Sequence, residues 1–294
     1  MGLVNPHDIA RPFLQEVKAA VAELPPIHLV GFLATDRPDA ASYSNYAARG
    51  CAKVGIGYEV RRVPAAGLSR AIYQANVDPE VHGVLVYYPI FGGARDRSLQ
   101  NELDHEKDVE GLHGFWTQRL YHDVRYADRE RTKKAILPCT PLGVVKALAA
   151  LGVYHLDREP RSQLEGVTVT VFNRSEVVGR PLAALLAHDG ALVHSFDIDG
   201  VVRYARDGEV PAQITRADAL AESQVVISAV PDPGFELIRP DELRAGAVCV
   251  NVSYVPNFAD GVVEAAGQLL NRVGPITVAM LLRNTLRLYR NFHA

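Results

Sequence analysis

The chain has 294 residues, of which 48% are hydrophobic and 22% charged, and its formal net charge at pH 7 is −3. This length allows two domains of ordinary size, and the composition is that of a globular protein. The absence of a basic stripe argues against a nucleic-acid partner, and the apolar runs are too short to span a bilayer. We therefore expect no nucleic-acid partner and no membrane partner.

The cysteines and histidines indicate the compartment and argue against a metal site. Cys51, Cys139 and Cys249 lie far apart among small or apolar residues, as reduced thiols in a reducing compartment would. The first residues, MGLVNPHDIARPF, lack the apolar core of a signal peptide. The ten histidines form no HExxH pattern, and no CxxC occurs. These features predict a cytoplasmic protein without a metal.

The first half of the chain alternates between helical and strand-like segments. Helical apolar spacing covers residues 9–24, 40–54 and 68–75, and apolar runs typical of strands cover 27–34, 57–63 and 81–90. Repeated βα units predict a parallel sheet covered by helices. Residues 91–141 have no regular pattern, which in a compact domain is typical of a functional segment. A helix at 142–151 leads to a polar linker at 155–163, where we place a domain boundary.

Residues 166–199 have the pattern of a dinucleotide-binding βαβ unit. An apolar, β-branched run at 167–172 is followed by the polar turn 173–176, a helical pattern at 178–188 and a second apolar run that ends on Asp197. In such units the pyrophosphate lies at the helix N-terminus and the terminal acid binds the ribose. A carboxylate at Asp197 would repel a 2′-phosphate, which favours NAD over NADP.

The same segment leaves alternatives open. The G-x-G-x-x-G pattern is absent and only Gly179 remains of it, so an ordinary strand–helix–strand unit fits equally well. Arg174 beside the turn is the type of residue that binds a 2′-phosphate, but it could equally grip the pyrophosphate or pair with Asp197.

The remainder of the second half continues the α/β pattern. After Asp197 we predict a loop containing Gly200 and Gly208, a helix at 216–222, and strands at 224–230 and 247–252. Residues 273–277 suggest a loop, with Thr277 capping a terminal helix. The apolar face of that helix would comprise Met280, Leu281, Leu288 and Tyr289.

Two short segments of the first half have candidate ligand-binding residues. The charged loop 106–111 fits either a solvated turn or a ligand site, in which main-chain donors hold Asp108 while Glu110 faces a cationic or amine-bearing ligand. Tyr87-Tyr88-Pro89 ends a buried strand, where two tyrosines could flank a flat aromatic substrate or simply fill the core. Cys139 between two prolines is better explained as a buried thiol than as a nucleophile.

Six segments, in this order and over most of the chain, resemble the methylenetetrahydrofolate dehydrogenase/cyclohydrolase family. They are Tyr43 with Gly55-Ile56, and residues 83–89, 107–111, 138–143, 173–181 and 273–281. The resemblance implies two α/β domains, an N-terminal folate-binding catalytic domain and a Rossmann-like NAD domain, with the C-terminal helix packing back on the first. The implied domains are 1–155 with 273–294, and 156–272. Family members commonly form homodimers, so a homodimer is expected.

Four departures from the family pattern resemble its monofunctional, NAD-dependent branch known from yeast. The lysine of Y-x-x-x-K, which drives the cyclohydrolase step in bifunctional members, is Ala47 here. Tyr87 replaces a glutamine, Glu110 replaces an aspartate, and Asp197-Ile198 stands where NADP-dependent members have a histidine–serine pair. The implied function is NAD-dependent oxidation of 5,10-methylenetetrahydrofolate without cyclohydrolase activity.

The resemblance also implies roles for individual residues. The catalytic group would be Tyr43 in the folate site, Tyr87 beside the pterin, and Glu110 on its amino-pyrimidine edge. Further folate-binding residues would be Gly274, Pro275 and Thr277. NAD would contact Asn173, Arg174, Ser175, Val178, Gly179, Asp197, Ala229 and Val230, with Arg174 and Ser175 on the pyrophosphate.

Two alternatives remain from the sequence. One is a bifunctional dehydrogenase/cyclohydrolase with an unrecognised base such as His105 or Lys107, although nothing in the spacing favours either residue. The other is a non-catalytic regulator that binds NAD or folate and kept the fold.

Overall fold

A computed structural model describes residues 2–294 of the chain. The strands are Gly2–Leu3 (β1), His28–Leu33 (β2), Gly57–Arg62 (β3), Gly83–Val86 (β4), Thr168–Phe172 (β5), Leu192–Asp197 (β6), Gly200–Ala205 (β7), Gly208–Ala212 (β8), Val225–Ser228 (β9), Val248–Asn251 (β10) and Gln268–Leu270 (β11). The helices are Pro6–Val21 (α1), Pro38–Val54 (α2), Leu68–Val77 (α3), Gly93–Glu102 (α4), Gly114–Tyr121 (α5), Cys139–Ala150 (α6), Gly179–His188 (α7), Arg216–Glu222 (α8), Val262–Ala265 (α9) and Gly274–Leu288 (α10). Among these residues, no helix is both long and apolar enough to cross a membrane.

The chain forms two compact α/β units. One contains residues up to Ile9 together with Thr140–Ile276, and the other contains Ala10–Cys139 together with Thr277–Ala294. We refer to them as the eight-stranded unit and the three-stranded unit, after their sheets. The unit boundaries fall within helices α1, α6 and α10, and the domain division expected at the polar linker stays a prediction.

The three-stranded unit has a parallel sheet in the order β3-β2-β4. Strands β2 and β4 are apolar along almost their whole length because both faces of a parallel sheet are covered. The core includes Val30, Phe32, Ile72 and Val86. Strand β4 is shorter than the predicted segment 81–90, so Tyr87 follows directly after its carboxyl end.

The segment 91–141, expected to be irregular, contains helices α4 and α5. The prediction was wrong for α4 because that helix buries only Asp96 and Leu99 and therefore has no apolar stripe. The buried carboxylate of Asp96 accepts hydrogen bonds from the main-chain nitrogens of Ile90 (3.0 Å) and Phe91 (2.8 Å). This contact ties the start of α4 to the segment that leaves β4.

The charged loop at residues 104–113 is attached to the sheet. The main-chain nitrogen of Val84 in β4 donates to the carbonyl of Lys107 at 2.7 Å, and Val84 and Asp108 form an isolated parallel bridge. The loop therefore runs beside β4, and its residues lie near the carboxyl end of that strand.

The eight-stranded unit has strands in the order β1-β11-β10-β9-β5-β6-β7-β8. All neighbouring strands are parallel except β6-β7 and β7-β8, which are antiparallel. Phe172 at the end of β5 pairs with Phe196 on one side and Ser228 on the other. The segments that follow β5, β6 and β9 therefore leave the sheet at one edge, where doubly wound sheets bind ligands.

Two predictions in the second half of the chain were wrong. The expected loop around Gly200 and Gly208 is the β7–β8 hairpin, whose strands bury only Tyr204 and so lack the apolar run of a buried strand. Thr277 does not cap the terminal helix, because α10 begins at Gly274 and Thr277 lies buried in its first turn. Pro275 is tolerated near the start of α10, where a missing N–H breaks no helical hydrogen bond.

Candidate functional site

A cluster of tyrosines lies at the carboxyl end of β4. The rings of Tyr43 on α2 and Tyr87 meet edge to face, with centroids 5.8 Å apart. The hydroxyl of Tyr58 on β3 is hydrogen-bonded to that of Tyr87. Gly31 on β2 makes room for this pair, since a Cβ there would lie 2.2 Å from the Tyr58 hydroxyl oxygen. The structure thus brings Tyr43 and Tyr87 together, as expected for one site.

Ala47 lies on the face of α2 that adjoins this tyrosine cluster. Its exposed fraction is 0%, and its neighbours on the same face, Ser44 and Cys51, are also buried. The Ser44 side chain hydrogen-bonds with Tyr58 and Tyr87, which lowers the pKa of each hydroxyl against a larger increase from burial. Ser44 lies one turn before Ala47 on α2, so its contacts place the Tyr58 and Tyr87 hydroxyls beside the face that contains Ala47.

The loop at residues 108–113 holds Asp108 with main-chain donors. One carboxylate oxygen accepts from the nitrogens of Glu110 and Gly111 at 3.1 Å each, and the other accepts from His113 at 2.7 Å. Gly111 has φ of 70°, and a Cβ there would lie 2.9 Å from the carbonyl carbon of Leu137. The interpretation that main-chain donors hold Asp108 is therefore confirmed.

Glu110 and Asp108 are acids whose pKa values are raised in the folded protein. Burial, followed by the negative charge of Asp108, raises the pKa of the Glu110 carboxyl to about 8. Burial raises the pKa of Asp108 to about 6, against the opposing effect of its main-chain donors. Burial and then the charge of Glu110 raise the pKa of the Tyr43 hydroxyl. Tyr43 and Glu110 therefore face each other closely enough to interact.

Two buried hydroxyls of this cluster have no hydrogen-bond partner within residues 2–294: those of Tyr43 and Tyr88. A buried hydroxyl without a partner is costly, and such groups concentrate where a ligand supplies the missing bond. Burial raises the pKa of both hydroxyls, and the nearby negative charge of Glu110 raises each of them further. This arrangement suits a flat ligand with a polar edge.

Asn284 of α10, which sequence reasoning missed, hydrogen-bonds to the main chain beside Glu110 and near Cys139. Its side-chain nitrogen donates to the carbonyls of Val109 (3.0 Å) and Leu137 (2.9 Å). The Cys139 thiol donates to the Val109 carbonyl at 3.3 Å, and burial raises its pKa well above the usual range. Cys139 is therefore a buried structural thiol, as expected, and no sequence pattern identified Asn284 within an otherwise apolar helix face.

Lys107 and His105, the two alternative bases for hydrolysis, both contact groups outside the tyrosine cluster. The ammonium of Lys107 donates to the carbonyls of Ala75 (2.9 Å) and Asp78 (2.6 Å), where it satisfies the end of helix α3. The imidazole of His105 lies 3.3 Å from the Asp104 carboxylate and packs on Phe115, with ring centroids 4.0 Å apart. Neither contact leaves the side chain directed towards Tyr43 or Glu110.

The pKa of Glu110 predicts a pH-dependent stability. An acid whose pKa rises on folding stabilises the folded state fully below its unfolded pKa, which is near 4.5, and this contribution is lost as the pH rises through about 8. We therefore expect the difference in free energy of unfolding between wild type and Glu110→Gln to fall between pH 5 and pH 8 and then become constant. Urea titrations of both proteins measure it. The Glu106→Gln variant removes a carboxyl from the same loop and serves as the control, and a Glu110→Gln profile that matches the control would contradict the assignment.

In the eight-stranded unit, the turn after β5 is built around Asn173 and Gly179. Asn173 has φ of 88°, and its side-chain oxygen accepts from the nitrogen of Ser175 at 2.8 Å. A Cβ on Gly179 would lie 1.7 Å from the Asn173 carbonyl oxygen, so only glycine allows α7 to begin this close to the turn. The Ser175 hydroxyl accepts from the Gly179 nitrogen at 3.5 Å. The turn thus sets the N-terminus of α7 beside the end of β5.

Asp197 at the end of β6 faces the same turn. Its carboxylate accepts from the main-chain nitrogens of Arg174 (2.5 Å) and Ile198 (2.7 Å), one on each oxygen. The Arg174 side chain does not pair with Asp197, contrary to one of the alternatives, but forms an ion pair with Asp199. Each Asp197 oxygen keeps a lone pair, so the carboxylate can still accept hydrogen bonds from a ribose.

The segment after β9 completes this edge. The main-chain nitrogen of Ala229 donates to the Phe172 carbonyl at 3.0 Å, and that of Val230 donates to the Asn257 side chain at 3.2 Å. The hydroxyl of Ser228 donates to the same Asn257 oxygen at 2.8 Å. Asn257 is fully buried and was missed from the sequence, where it lies in a segment without regular pattern. The expected NAD residues therefore all lie at or beyond the carboxyl ends of β5, β6 and β9.

The remaining expected folate residues lie in the first turn of α10. Gly274 is exposed, Pro275 is partly exposed, and Thr277 is buried. Their roles in folate binding stay predictions.

Comparison with known proteins bears on this architecture directly. The tetrahydrofolate dehydrogenase/cyclohydrolase catalytic-domain model matches residues 4–110, and the NAD(P)-binding-domain model of the same family matches residues 138–293. Methylenetetrahydrofolate dehydrogenase [NAD(+)] of Schizosaccharomyces pombe is 41% identical over 292 residues, covering 95% of this chain and 90% of that protein. The Saccharomyces cerevisiae protein of the same name is 41% identical over 303 residues, covering 96% and 94%.

A solved structure agrees with the sequence comparison. The NAD-dependent 5,10-methylenetetrahydrofolate dehydrogenase from Saccharomyces cerevisiae superimposes with a TM-score of 0.92 and 38% identity, covering 99% of this chain and 97% of that one. Both the sequence relatives and this structure cover almost the whole chain. The chain therefore belongs to the tetrahydrofolate dehydrogenase/cyclohydrolase family.

Proposed function

We propose that this chain is an NAD-dependent oxidoreductase that converts 5,10-methylenetetrahydrofolate to 5,10-methenyltetrahydrofolate and lacks cyclohydrolase activity. The names of the two yeast relatives and the carboxylate of Asp197 support NAD as the cofactor. The observation that carries the absence of hydrolysis is Ala47, fully buried at the position where bifunctional members have their lysine. The proposed catalytic residues are Tyr43, Tyr87 and Glu110.

The oxidation requires positioning more than proton transfer. The bridge carbon of the substrate lies between N5 and N10, whose lone pairs expel the hydride and share the resulting positive charge. NAD supplies the acceptor, since its nicotinamide C4 takes up hydride. The chain has to hold the substrate so that the reacting carbons lie about 3–3.5 Å apart. The tyrosine cluster can fix the flat pterin by its faces while Glu110 fixes its polar edge.

The residues at the carboxyl ends of β5, β6 and β9 fit a dinucleotide. The Asn173–Gly179 turn sets the N-terminus of α7 where a pyrophosphate is held in dinucleotide-binding units, and Asp197 keeps free lone pairs for ribose hydroxyls. The close approach between Gly179 and the Asn173 carbonyl explains how the edge is built without the full glycine pattern. Ser175 is proposed to contact the pyrophosphate; the side-chain contacts of Arg174 do not support that role for it.

Hydrolysis of the methenyl product makes a different demand. Water must attack the amidinium carbon and protons must then be moved, which requires a titratable group near that carbon. Alanine at position 47 cannot take this role, and Lys107 is bound to the end of α3. Glu110 is assigned to the polar edge of the pterin, so it is not available as the base for hydrolysis.

One assay series tests the proposal. Purified protein is given methylenetetrahydrofolate with NAD or with NADP, and reduced nicotinamide and methenyl product are followed in parallel. We expect both products to form in equal amounts, and faster with NAD. Methenyltetrahydrofolate given alone should hydrolyse no faster than in buffer, and faster hydrolysis would establish a bifunctional enzyme. Binding of NAD and folate without any turnover would establish the non-catalytic alternative.

Asp197→Ser tests the proposed ribose contact. Loss of a charged hydrogen-bond acceptor should raise the dissociation constant for NADH by about tenfold or more, corresponding to about 1.5 kcal/mol. NADPH should lose less affinity, because the variant also removes a negative charge that repels the 2′-phosphate. Calorimetric titration with each nucleotide measures both, and an unchanged NADH/NADPH ratio would remove Asp197 from the specificity role.

Cytoplasmic location and homodimeric assembly stay predictions. Cys51, Cys139 and Cys249 are buried free thiols in the structure, which is compatible with a reducing compartment. Sedimentation of the purified protein measures the assembly state.

A further inference from the structure

The Arg174 side chain lies beneath the turn that joins β6 to β7. One guanidinium nitrogen donates to the main-chain carbonyls of Ser195 (2.9 Å) and Gly200 (3.2 Å), and another forms an ion pair with the Asp199 carboxylate. Only 11% of the side chain is exposed. The guanidinium is thus bound by strand β6, by the start of β7 and by Asp199 of the turn between them.

The main chain of Arg174 contacts Asp197, at the start of the same turn. Its nitrogen donates to the Asp197 carboxylate at 2.5 Å. One residue therefore connects the proposed ribose acceptor, through its main chain, with Asp199, through its side chain. Fixing the guanidinium also fixes the peptide that orients Asp197.

A 2′-phosphate would need this arginine in another position. Arginine binds phosphate best when two of its N–H groups are free to form parallel hydrogen bonds. Here three of the five N–H groups of Arg174 are used by two carbonyls and a carboxylate, and Asp199 also cancels its charge. The two carboxylates of Asp197 and Asp199 and the guanidinium of Arg174 sum to a net charge of −1.

We propose that Asp199 is a specificity-determining residue that keeps Arg174 away from the adenosine ribose and thereby excludes NADP. Asp197 repels the 2′-phosphate, while Asp199 removes the cation that would bind it. This inference rests on the proposed use of NAD, and it assigns a role to a residue outside the ribose contact itself. Asp199 is 74% exposed, so its replacement leaves no cavity in the core.

Direct binding of nucleotides tests this role without requiring turnover. The variants are Asp199→Ala, Asp199→Ala with Arg174→Ala, and Asp207→Ala as the control. Asp207 lies in the next turn of the same hairpin, is also 74% exposed, and has its carboxylate 3.8 Å from Arg203, so its replacement removes the same charge. Dissociation constants for NADH and NADPH are measured by calorimetry on each purified protein, and thermal melts confirm folding.

In the wild type we expect tighter binding of NADH than of NADPH. Asp199→Ala should lower the dissociation constant for NADPH by about tenfold, because one charge-assisted arginine–phosphate contact is gained, and change that for NADH by less than about threefold. Adding Arg174→Ala should abolish the gain in NADPH affinity. Asp207→Ala should leave the ratio of the NADH and NADPH dissociation constants within about twofold of wild type, because the Asp207 charge lies farther from Arg174 and is screened by salt.

Three results would overturn the role of Asp199: equal effects of Asp199→Ala and Asp207→Ala, a gain for NADPH that persists without Arg174, or a wild type that prefers NADPH. If the wild type binds NADH but shows no turnover, the proposed dehydrogenase function fails while the nucleotide ratios still decide the role of Asp199. If the wild type binds neither nucleotide, both inferences fail.

Discussion

Glu110→Gln is expected to lower kcat/KM for 5,10-methylenetetrahydrofolate by about 100-fold, or about 2.7 kcal/mol. The pterin edge of the substrate presents two N–H donors side by side, and a carboxylate accepts from both at once. A glutamine accepts from one and directs its own N–H groups at the other. Hydrogen bonds to a charged group are each worth about 1.5–3 kcal/mol, so losing one and opposing another accounts for the expected factor.

The pH dependence of the same reaction follows from the pKa of Glu110. The carboxyl is mostly protonated at pH 7 in the free protein, because burial and Asp108 raise its pKa to about 8. Two substrate donors favour the ionised form, so binding at neutral pH releases a proton. We therefore expect KM to rise as the pH falls below about 8, and this dependence should disappear in Glu110→Gln.

Glu106→Gln is the matched control, since it removes the same charge from the same loop. Its main-chain carbonyl contacts His293, and its main-chain nitrogen contacts Asp104. We expect kcat and KM of this variant within about twofold of wild type, as for a surface substitution. A Glu110→Gln variant with a KM close to that of the control would contradict the assignment of Glu110 to the substrate edge.

How far the sequence predicts this structure depends on where apolar periodicity is strong. The buried strands β2, β4, β5 and β9 and the helix α7 have continuous or periodic apolar residues, and they lie within the predicted segments. Helix α4 and the β7–β8 hairpin were missed because they bury few side chains. Short strands such as β1, at the edge of the sheet, and its neighbour β11 depend on pairing with distant segments, and a local pattern does not contain that information.

The candidate site shows the same division. Motifs identified Tyr43, Tyr87, Asp108 and Glu110, and the structure brings them together. Asn284 and Asn257 were missed because each acts by satisfying main-chain groups of a segment far away in sequence. Asp199 was missed for a related reason, since its partner Arg174 comes from the preceding βα turn. Residues that contact ligands leave a local pattern, whereas residues that hold those contacts in place depend on tertiary structure.

Ala47→Lys is the substitution most directly suggested by the family pattern, and alone it is expected to destabilise the protein by about 3 kcal/mol. Position 47 is fully buried, and Tyr58 with its partner Tyr87 lies along the same helix face. A lysine there must displace an aromatic ring or leave its ammonium without water, and both are costly. Urea unfolding measures the loss, and Asn45→Lys on the exposed face of α2 should change the stability by less than about 0.5 kcal/mol.

A second substitution identifies which ring opposes the lysine. Tyr87→Gln shortens the side chain and frees the Tyr58 hydroxyl, so the double variant should recover about 1 kcal/mol or more relative to the sum of the single variants. Additive effects would show that Tyr87 does not compete with the lysine for space. Ala47→Lys alone should not accelerate hydrolysis of methenyltetrahydrofolate above the rate in buffer, because an ammonium confined by the tyrosines cannot reach an attacking water. Measurable hydrolysis by the single variant would show instead that the missing lysine is the whole difference between this chain and its bifunctional relatives.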